Sequence, residues 1–289
     1  MRIFIQYLLL LCLPFLASCR SGLFGGGTPV KLTEAWASDN TLRTPESALY
    51  DPERNVIYVS NINQRTEDRK DGDGFISVLS PNGKVEQLFW VAGLNNPKGL
   101  ALYNNVLYVA DIDEVVAIST QSGAVLERFK ADKAKNLNDV AVDGEGNVYI
   151  SDSNEGRIYL LRNGRISTWI KNTKNELPNG LFYDQNRLLV AFKNSGHVRL
   201  LDTNRKRFTN WTEGIDSADG IAGDGTGNFF ISNWNGEVYY VNQRGKKWLL
   251  LDTKSKGVKA ADISYAQQQQ LLLVPTFSDN RVVAYKVKY

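Results

Sequence analysis

Six side chains with chemically useful groups stand at the start of a phrase that the sequence repeats. They are Glu46, Lys98, Asn138, Asn179, Asp219 and Asp262. Five of them carry a carboxylate or amide oxygen, and such hard donors suit Ca²⁺ first, with Mg²⁺ or Mn²⁺ as alternatives. Two carboxylates and two amide oxygens would balance the charge of one divalent ion and leave positions open for water and substrate. Because these residues lie far apart in the sequence, only the fold can bring them together.

The repeated phrase predicts that fold. Its clearest copy, residues 138–152, reads NDVAVDGEGNVYISD, and most successive copies begin about 40 residues apart. Alternating apolar residues between Gly, Asn and Asp turns indicate the four-stranded blades of a propeller at that period. Helical solenoids share the period, but no segment here has the sustained apolar spacing of a helix. We therefore predict an all-β fold, a six-bladed β-propeller over residues 30–289.

The two ends of the repeat region predict how the ring closes. Residues 31–36 look like an outer strand without its own blade, whereas the last repeat lacks its outer strand. We expect the N-terminal strand to complete the last blade, which removes exposed sheet edges. Each outer strand also has one large aromatic residue, which we expect to pack between blades: Trp36, Trp90, Phe129, Trp169, Trp211 and Trp248.

Strand direction alternates within a blade, so the six phrase-initial residues and the loops between second and third strands share one face. This face surrounds the mouth of the central channel, and substrate selection is expected there. Trp234 and Phe277, in two of these loops, are predicted to form an apolar wall. The first loop, residues 61–74, is long and charged; it is either a lid or a solvated loop.

These features resemble the six-bladed propellers of gluconolactonase, regucalcin (senescence marker protein) and diisopropyl fluorophosphatase, over about residues 31–289. In that superfamily one channel metal, usually calcium, is held by Glu, Asn, Asn and Asp from blades one, three, four and five. The matching positions imply the metal ligands Glu46, Asn138, Asn179 and Asp219. The last three stand in the Asn-Asp, Pro-Asn-Gly and Asp-Gly contexts of the family, whereas Glu46 is followed by Ser-Ala rather than Gly-Pro.

The resemblance implies a calcium-dependent hydrolase of lactones or esters, in which the metal polarises the carbonyl. Asp219 is the candidate base or nucleophile, with Asp139 and Asp262 as alternatives. Lys98 either binds an anionic substrate, pairs with a carboxylate such as Asp262, or extends out of the channel mouth. A Ser-His-Asp triad is excluded because the sequence has one histidine, His197, without a plausible partner.

A second interpretation is open. Binding propellers of the NHL type carry a similar phrase, often with Asn or Asp at its start, and hold no metal there. The alternative is therefore a non-catalytic propeller that binds a protein or a small molecule at its channel face. The 34 Lys and Arg against 31 Asp and Glu give a net charge of +3, too small to favour nucleic acid. Complete strand pairing favours a monomer.

The N-terminal residues resemble a bacterial lipoprotein signal. Met1-Arg2 precedes an apolar stretch that ends in Leu-Ala-Ser-Cys at Cys19. We predict a signal peptide over 1–18, lipid on Cys19 and a flexible tether over 19–29, with a plain secretory signal as the alternative. This predicts a location in the bacterial cell envelope. Arg20, the residue after Cys19, favours the outer membrane, where the domain would face either the periplasm or the cell surface.

Overall fold

The chain folds into six antiparallel sheets of four strands each, and in the first five the strands follow one another in chain order. The computed structural model describes residues 27–63, 70–171, 173 and 175–289. The predicted all-β, six-bladed β-propeller is confirmed. The predicted signal peptide, Cys19 and most of the tether lie outside the described residues. Within the described part, no helix has the length and apolar character needed to cross a bilayer.

The first five blades use strands β2 to β21, with the innermost strand first in each blade. Blade one comprises β2 (Pro45–Asp51), β3 (Val56–Asn61), β4 (Gly74–Leu79) and β5 (Val85–Leu94); blade two, β6 (Pro97–Tyr103), β7 (Val106–Asp111), β8 (Glu114–Ser119) and β9 (Val125–Lys130); blade three, β10 (Leu137–Val142), β11 (Val148–Asp152), β12 (Arg157–Arg162) and β13 (Arg165–Ile170); blade four, β14 (Pro178–Asp184), β15 (Arg187–Phe192), β16 (Val198–Asp202) and β17 (Arg207–Thr212); blade five, β18 (Ala218–Gly223), β19 (Phe229–Asn233), β20 (Glu237–Val241) and β21 (Lys247–Asp252).

The sixth blade joins the two ends of the described chain. Its strands β22 (Ser264–Ala266), β23 (Leu271–Thr276) and β24 (Arg281–Lys288) are completed by β1 (Lys31–Ala37), which pairs with β24. Closure by the N-terminal strand is therefore confirmed. Three short 3₁₀ helices lie in the connections before and within this blade: Lys254–Lys256, Gln267–Gln269 and Phe277–Asp279.

The core lies between blades, since each blade packs its apolar faces on its neighbours. Trp211, on the outer strand of blade four, shows the predicted role of the aromatic residues. Its Nε1 donates to the carbonyl of Gln243 in blade five at 3.1 Å, and its ring meets Phe229 of that blade edge-on at 5.3 Å. The Trp36 ring likewise covers Gly83 of blade one so closely that a Cβ there would lie 2.3 Å from it. Packing of these two aromatic residues between blades is confirmed.

Candidate functional site

A β-bulge near the start of each of the first five inner strands positions the phrase-initial residues. In β2, Pro45 pairs with Asn61 and Ala48 with Val59, so Glu46 and Ser47 together oppose one residue of β3. A bulge bends the strand and re-aims the side chains within it. Four further strands have the same irregularity, at Lys98-Gly99, Asn138-Asp139, Asn179-Gly180 and Asp219-Gly220. Five of the six phrase-initial residues are thus first residues of equivalent bulges.

Serines on the second strands fix three of these bulges. The Oγ atoms of Ser60, Ser151 and Ser232 accept hydrogen bonds from the bulge amides of blades one, three and five at 2.9–3.0 Å. Ser151 also donates to the carbonyl of Asn179 in the next blade at 2.6 Å. The bulge geometry is therefore coupled between neighbouring blades, which makes the ring of side chains a rigid feature of the fold.

Glycine at the second bulge position lets adjacent inner strands approach closely. A Cβ on Gly180 would lie 1.8 Å from the carbonyl oxygen of Asp219. We expect Gly180→Ala to lower the free energy of unfolding by about 2–4 kcal/mol, because backbone must shift to admit the methyl group. Gly144→Ala is the matched control, since a Cβ there meets nothing within 4 Å. Equal urea midpoints for Gly180→Ala and the control would contradict this packing.

The sixth blade differs from the sequence prediction by one residue. Asp262 forms a parallel bridge with Ser47, a second bulge residue. Ser232 donates to the carbonyl of Ala261 at 2.7 Å, just as Ser151 donates to the phrase-initial Asn179. Ala261 therefore holds the phrase-initial position, and Asp262 corresponds to Asp139. The prediction that Asp262 is the sixth equivalent member of the ring was wrong, because hydrogen-bond register is not visible in the repeat alone.

Four buried carboxyl groups lie on, or just before, the inner strands around the channel. Glu46, Asp139, Asp219 and Asp262 are each at most 9% exposed. Burial raises the pKa of all four, and repulsion from Asp262 adds to the effect on the other three. The pKa of Asp219 and that of Asp262 are each raised to about 7. Since buried charges need partners, this cluster favours either bound protons or a cation.

Two of the predicted ligand oxygens are buried and have no hydrogen-bond partner among the residues that the structure describes. They are Oε2 of Glu46, in blade one, and Oδ1 of Asn179, in blade four. Leaving such oxygens unsatisfied costs about 1–3 kcal/mol each, so a cation that binds them would relieve a real penalty. Asn138 is half-buried and Asp219 buried. In donor type and burial, the four predicted ligands are compatible with a hard divalent ion.

Amide oxygens are necessary to that fit. Among the described residues, no three His, Cys, Asp or Glu side chains are grouped as potential metal ligands. An ion at the bulges would depend on Asn138 and Asn179 together with the carboxylates of Glu46 and Asp219. Mixed carboxylate and amide oxygens are a donor set that Ca²⁺ accepts readily.

The three candidate bases differ in how far their oxygens are already engaged. Asp139 accepts backbone hydrogen bonds on both oxygens, from Val140 at 2.7 Å and from Leu181 at 2.6 Å. Asp262 accepts from the Ser47 hydroxyl at 2.7 Å. The Asp219 carboxylate accepts no hydrogen bond from the part of the chain that the structure describes. Asp219 is therefore the candidate whose oxygens are available to a ligand or a proton.

Behind the ring lies a cavity of about 240 Å³, lined mainly by apolar residues of the six inner strands. Asp139, Asp262 and Ser47 line it, whereas the four predicted ligands do not. The first bulge residues thus belong to the mouth of the channel and the second ones to its interior. This separates the predicted ligands from Asp139 and Asp262.

Of the three residues predicted to bind substrate, the structure brings two into contact with each other. Trp234 and Phe277 meet edge-on with ring centroids 4.8 Å apart. Lys98 is buried and its Nζ donates to Oδ1 of Asn136. Sequence reasoning missed Lys193, whose charge lowers the pKa of Asp219. The sequence feature that could have identified Lys193 is its position at the start of the loop between the second and third strands of blade four, on the mouth face.

Two other sequence features do not belong to this group. His197 lies 3.6 Å from carboxylate oxygens of both Glu176 and Glu213, and 3.3 Å from the Arg199 guanidinium, in a partly exposed polar cluster. It is a partly exposed residue of the surface. Residues 64–69 of the long loop lie outside the described residues, so the lid hypothesis for 61–74 stays a prediction.

Comparison with known proteins supports the fold. No family model matches the chain, and no curated protein matches its sequence. Among solved structures, virginiamycin B lyase from Staphylococcus aureus superposes with a TM-score of 0.64 at 9% identity, over 89% of this chain and 99% of that one. A streptogramin B lyase gives a TM-score of 0.65 at 10% identity, over 90% and 98%. At such identities the likeness establishes the propeller fold alone.

Proposed function

We propose that this protein is a metal-dependent hydrolase of lactones or esters, with one divalent ion, preferentially Ca²⁺, at the channel mouth. The ion would be held by Glu46, Asn138, Asn179 and Asp219. The observation that carries the proposal is the pair of buried oxygens without partners, Oε2 of Glu46 and Oδ1 of Asn179, beside carboxyl groups with raised pKa.

Different residues of the chain have different roles in the proposed reaction. A divalent ion bound at the mouth would supply Lewis-acid polarisation of the substrate carbonyl. Asp219 accepts the proton of the attacking water, because its oxygens are not engaged by the described residues and it lies at the same bulge position as the other ligands. Trp234 and Phe277 shield one side of the mouth with an apolar surface, and the inner strands limit the exposure of the carboxyl groups to bulk solvent.

The chain's environment is part of the same proposal. Lipid on Cys19 would anchor the propeller in the bacterial cell envelope, with residues 19–29 as tether, and the domain would act as a monomer. Two structural neighbours are named as lyases, so propellers of this shape serve enzymes. A propeller that only binds a ligand at the same face is the competing proposal.

A screen of lactones and 4-nitrophenyl esters with Ca²⁺, and with chelator, tests this function. Calcium-dependent release of an acid and an alcohol from esters, and of a single hydroxy acid from lactones, is the expected result, with one oxygen of ¹⁸O-labelled water in the carboxyl group. An alkene product without label would indicate elimination rather than hydrolysis. No turnover of any compound, with the ion bound, would favour the binding propeller.

A further inference from the structure

The cavity behind the ring opens on the face of the disk opposite the proposed metal site. The inner strands that line it are buried where they begin and partly exposed towards their ends: in blade two, Ala101 is buried and Leu102 partly exposed. Leu181 and Phe182 show the same change in blade four. These strand ends lead into the turns between first and second strands, which form what we call the rear face. A groove of about 700 Å³ on this face shares Phe182 and Tyr183 with the cavity. The cavity is therefore entered from the rear face, and we call it the rear channel.

Two carboxyl groups stand at the buried end of the rear channel. Asp139 is a second bulge residue of blade three, and Asp262 holds the corresponding position in blade six. Both line the cavity, at exposures of 3% and 9%. Blades three and six lie opposite each other in the closed ring of six. The rear channel thus has one acid on each of two opposite walls.

The neighbouring blades hold each carboxyl group at the channel wall. Oδ1 of Asp262 lies beside Gly220 of the preceding blade, where a Cβ would come within 2.5 Å of it. Oδ2 of Asp262 accepts a hydrogen bond from the hydroxyl of Ser47, in blade one, at 2.7 Å. Asp139 is seated in the same way beside Gly99 of blade two, where the equivalent distance is 2.2 Å. The two glycines therefore provide the space that these carboxyl groups occupy.

One of the four carboxylate oxygens has no donor from the protein. Both oxygens of Asp139 accept backbone hydrogen bonds, from Val140 and from Leu181. Oδ1 of Asp262 accepts none from the part of the chain that the structure describes, although this side chain is nine-tenths buried. A buried carboxylate oxygen without a donor is unfavourable, so this atom favours a ligand that brings an N–H group.

The walls between the acids and the opening are apolar. They include Leu49, Leu102, Val142 and Ile263, with Tyr183 and Tyr265 near the opening. A cavity of about 150 Å³ accommodates benzene, so this one, of about 240 Å³, accommodates a somewhat larger molecule. An ammonium group has three N–H donors and no acceptor, which matches a channel end that presents carboxylates. The walls match an apolar body attached to it.

We propose that the rear channel is a second binding site, which takes a primary amine with a compact apolar body. The ammonium group donates to Oδ1 of Asp262 and is balanced by the carboxylate of Asp139 on the opposite wall. The body lies along the apolar walls towards the rear face. Because the site uses none of the four proposed metal ligands, it does not depend on the hydrolase function.

Calorimetry with 2-phenylethylamine and 2-phenylethanol, which differ only in the ammonium and hydroxyl groups, tests the site. Each compound is titrated into the protein in a buffer with Ca²⁺. We expect one amine to bind per chain and the alcohol to bind at least about tenfold more weakly. The reason is that charge-assisted hydrogen bonds are roughly twice as strong as neutral ones.

Asp262→Asn should weaken amine binding about tenfold. This substitution places an amide N–H where Oδ1 stands and leaves the other oxygen to accept from Ser47, so the channel wall keeps its shape. Glu53→Gln is the matched control, since it removes a carboxylate that is 72% exposed in a turn of the rear face. The control should bind the amine as the wild type does.

Two further variants separate the rear channel from the mouth. Glu46→Gln/Asp219→Asn should retain amine binding within about threefold, because neither position lines the channel. Leu102→Trp, at the partly exposed end of the channel, should weaken binding by more than about tenfold because the larger side chain fills the opening. The thermal melt shows whether each variant is folded.

Equal affinity for the amine and the alcohol, or amine binding that Asp262→Asn leaves unchanged, would overturn the proposal. The absence of amine binding would do the same. Binding that the double variant loses and Leu102→Trp retains would place the amine at the mouth and refute the rear channel. None of these results bears on the hydrolase, which the ester and lactone screen tests by itself.

Discussion

With Asp219 as the general base, the Asp219→Asn substitution lowers turnover about 10³-fold while the protein remains folded. The reason is that a general base raises the rate of the chemical step about 10²–10⁴-fold. The amide keeps the size of the side chain and one oxygen for a metal, but it cannot take up the proton of water. Activity is measured at saturating Ca²⁺, together with the bound metal, so that loss of the ion and loss of the base are separated. Folding is checked by the thermal melt.

Asp262→Asn is the matched comparison. Asp262 is also buried, but it lines the channel interior, where its carboxylate accepts a hydrogen bond from the Ser47 hydroxyl at 2.7 Å. An asparagine oxygen can accept the same hydrogen bond, so we expect turnover to fall by less than about tenfold. A larger loss in Asp262→Asn than in Asp219→Asn would move the base to the second bulge position. If the protein is a non-catalytic binding propeller, neither substitution changes the result of the turnover assay, because the wild-type protein shows no turnover either.

The second large effect is a pH dependence of stability that calcium reverses. In the metal-free protein, burial raises the pKa of Asp219 and of Asp262 from 3.8 to about 7. Between these values the folded state binds more protons than the unfolded state, so the free energy of unfolding falls as pH rises from about 4 to 7. One group alone would contribute on the order of 4 kcal/mol, and the coupled pair less than twice that.

Calcium should change the sign of this trend. Metal binding requires deprotonated ligands, so its stabilising effect grows as pH rises. Urea unfolding at pH 5, 6, 7 and 8, with chelator and with Ca²⁺, measures both trends. The double variant Glu46→Gln/Asp219→Asn should lose the calcium effect and weaken the metal-free trend, to which Asp262 still contributes. Metal-free protein that gains stability from pH 5 to 8 would contradict the buried carboxyl cluster.

The repeat made the fold predictable in detail. Its period, turn residues and incomplete ends correspond to six blades closed by β1, because blade architecture depends on alternating apolar residues that the sequence displays directly. The phrase-initial residues were also predictable as a ring, since five of them occupy equivalent bulges. The packing of the outer-strand aromatic residues was predictable because each stands at a similar position in its repeat, as Trp211 and Trp36 show.

What sequence reasoning missed depends on register and on long-range electrostatics. The one-residue shift that puts Ala261, not Asp262, at the phrase-initial position is visible only in the hydrogen bonds of Ser232 and Ser47. The contribution of Lys193 arises from a loop packed beside another blade. The two buried oxygens without partners, which carry the metal proposal, require atomic packing to identify.

The central claim is the ion at the channel mouth, and metal analysis tests it most directly. The protein from Ser21 onward, saturated with Ca²⁺ and freed of excess, should contain one divalent ion per chain, and chelator should lower its melting temperature. The double variant Glu46→Gln/Asp219→Asn should contain none and should not respond to chelator. A wild-type protein that binds no stoichiometric ion, and melts identically with Ca²⁺ and with chelator, would contradict the metal site and the hydrolase built on it.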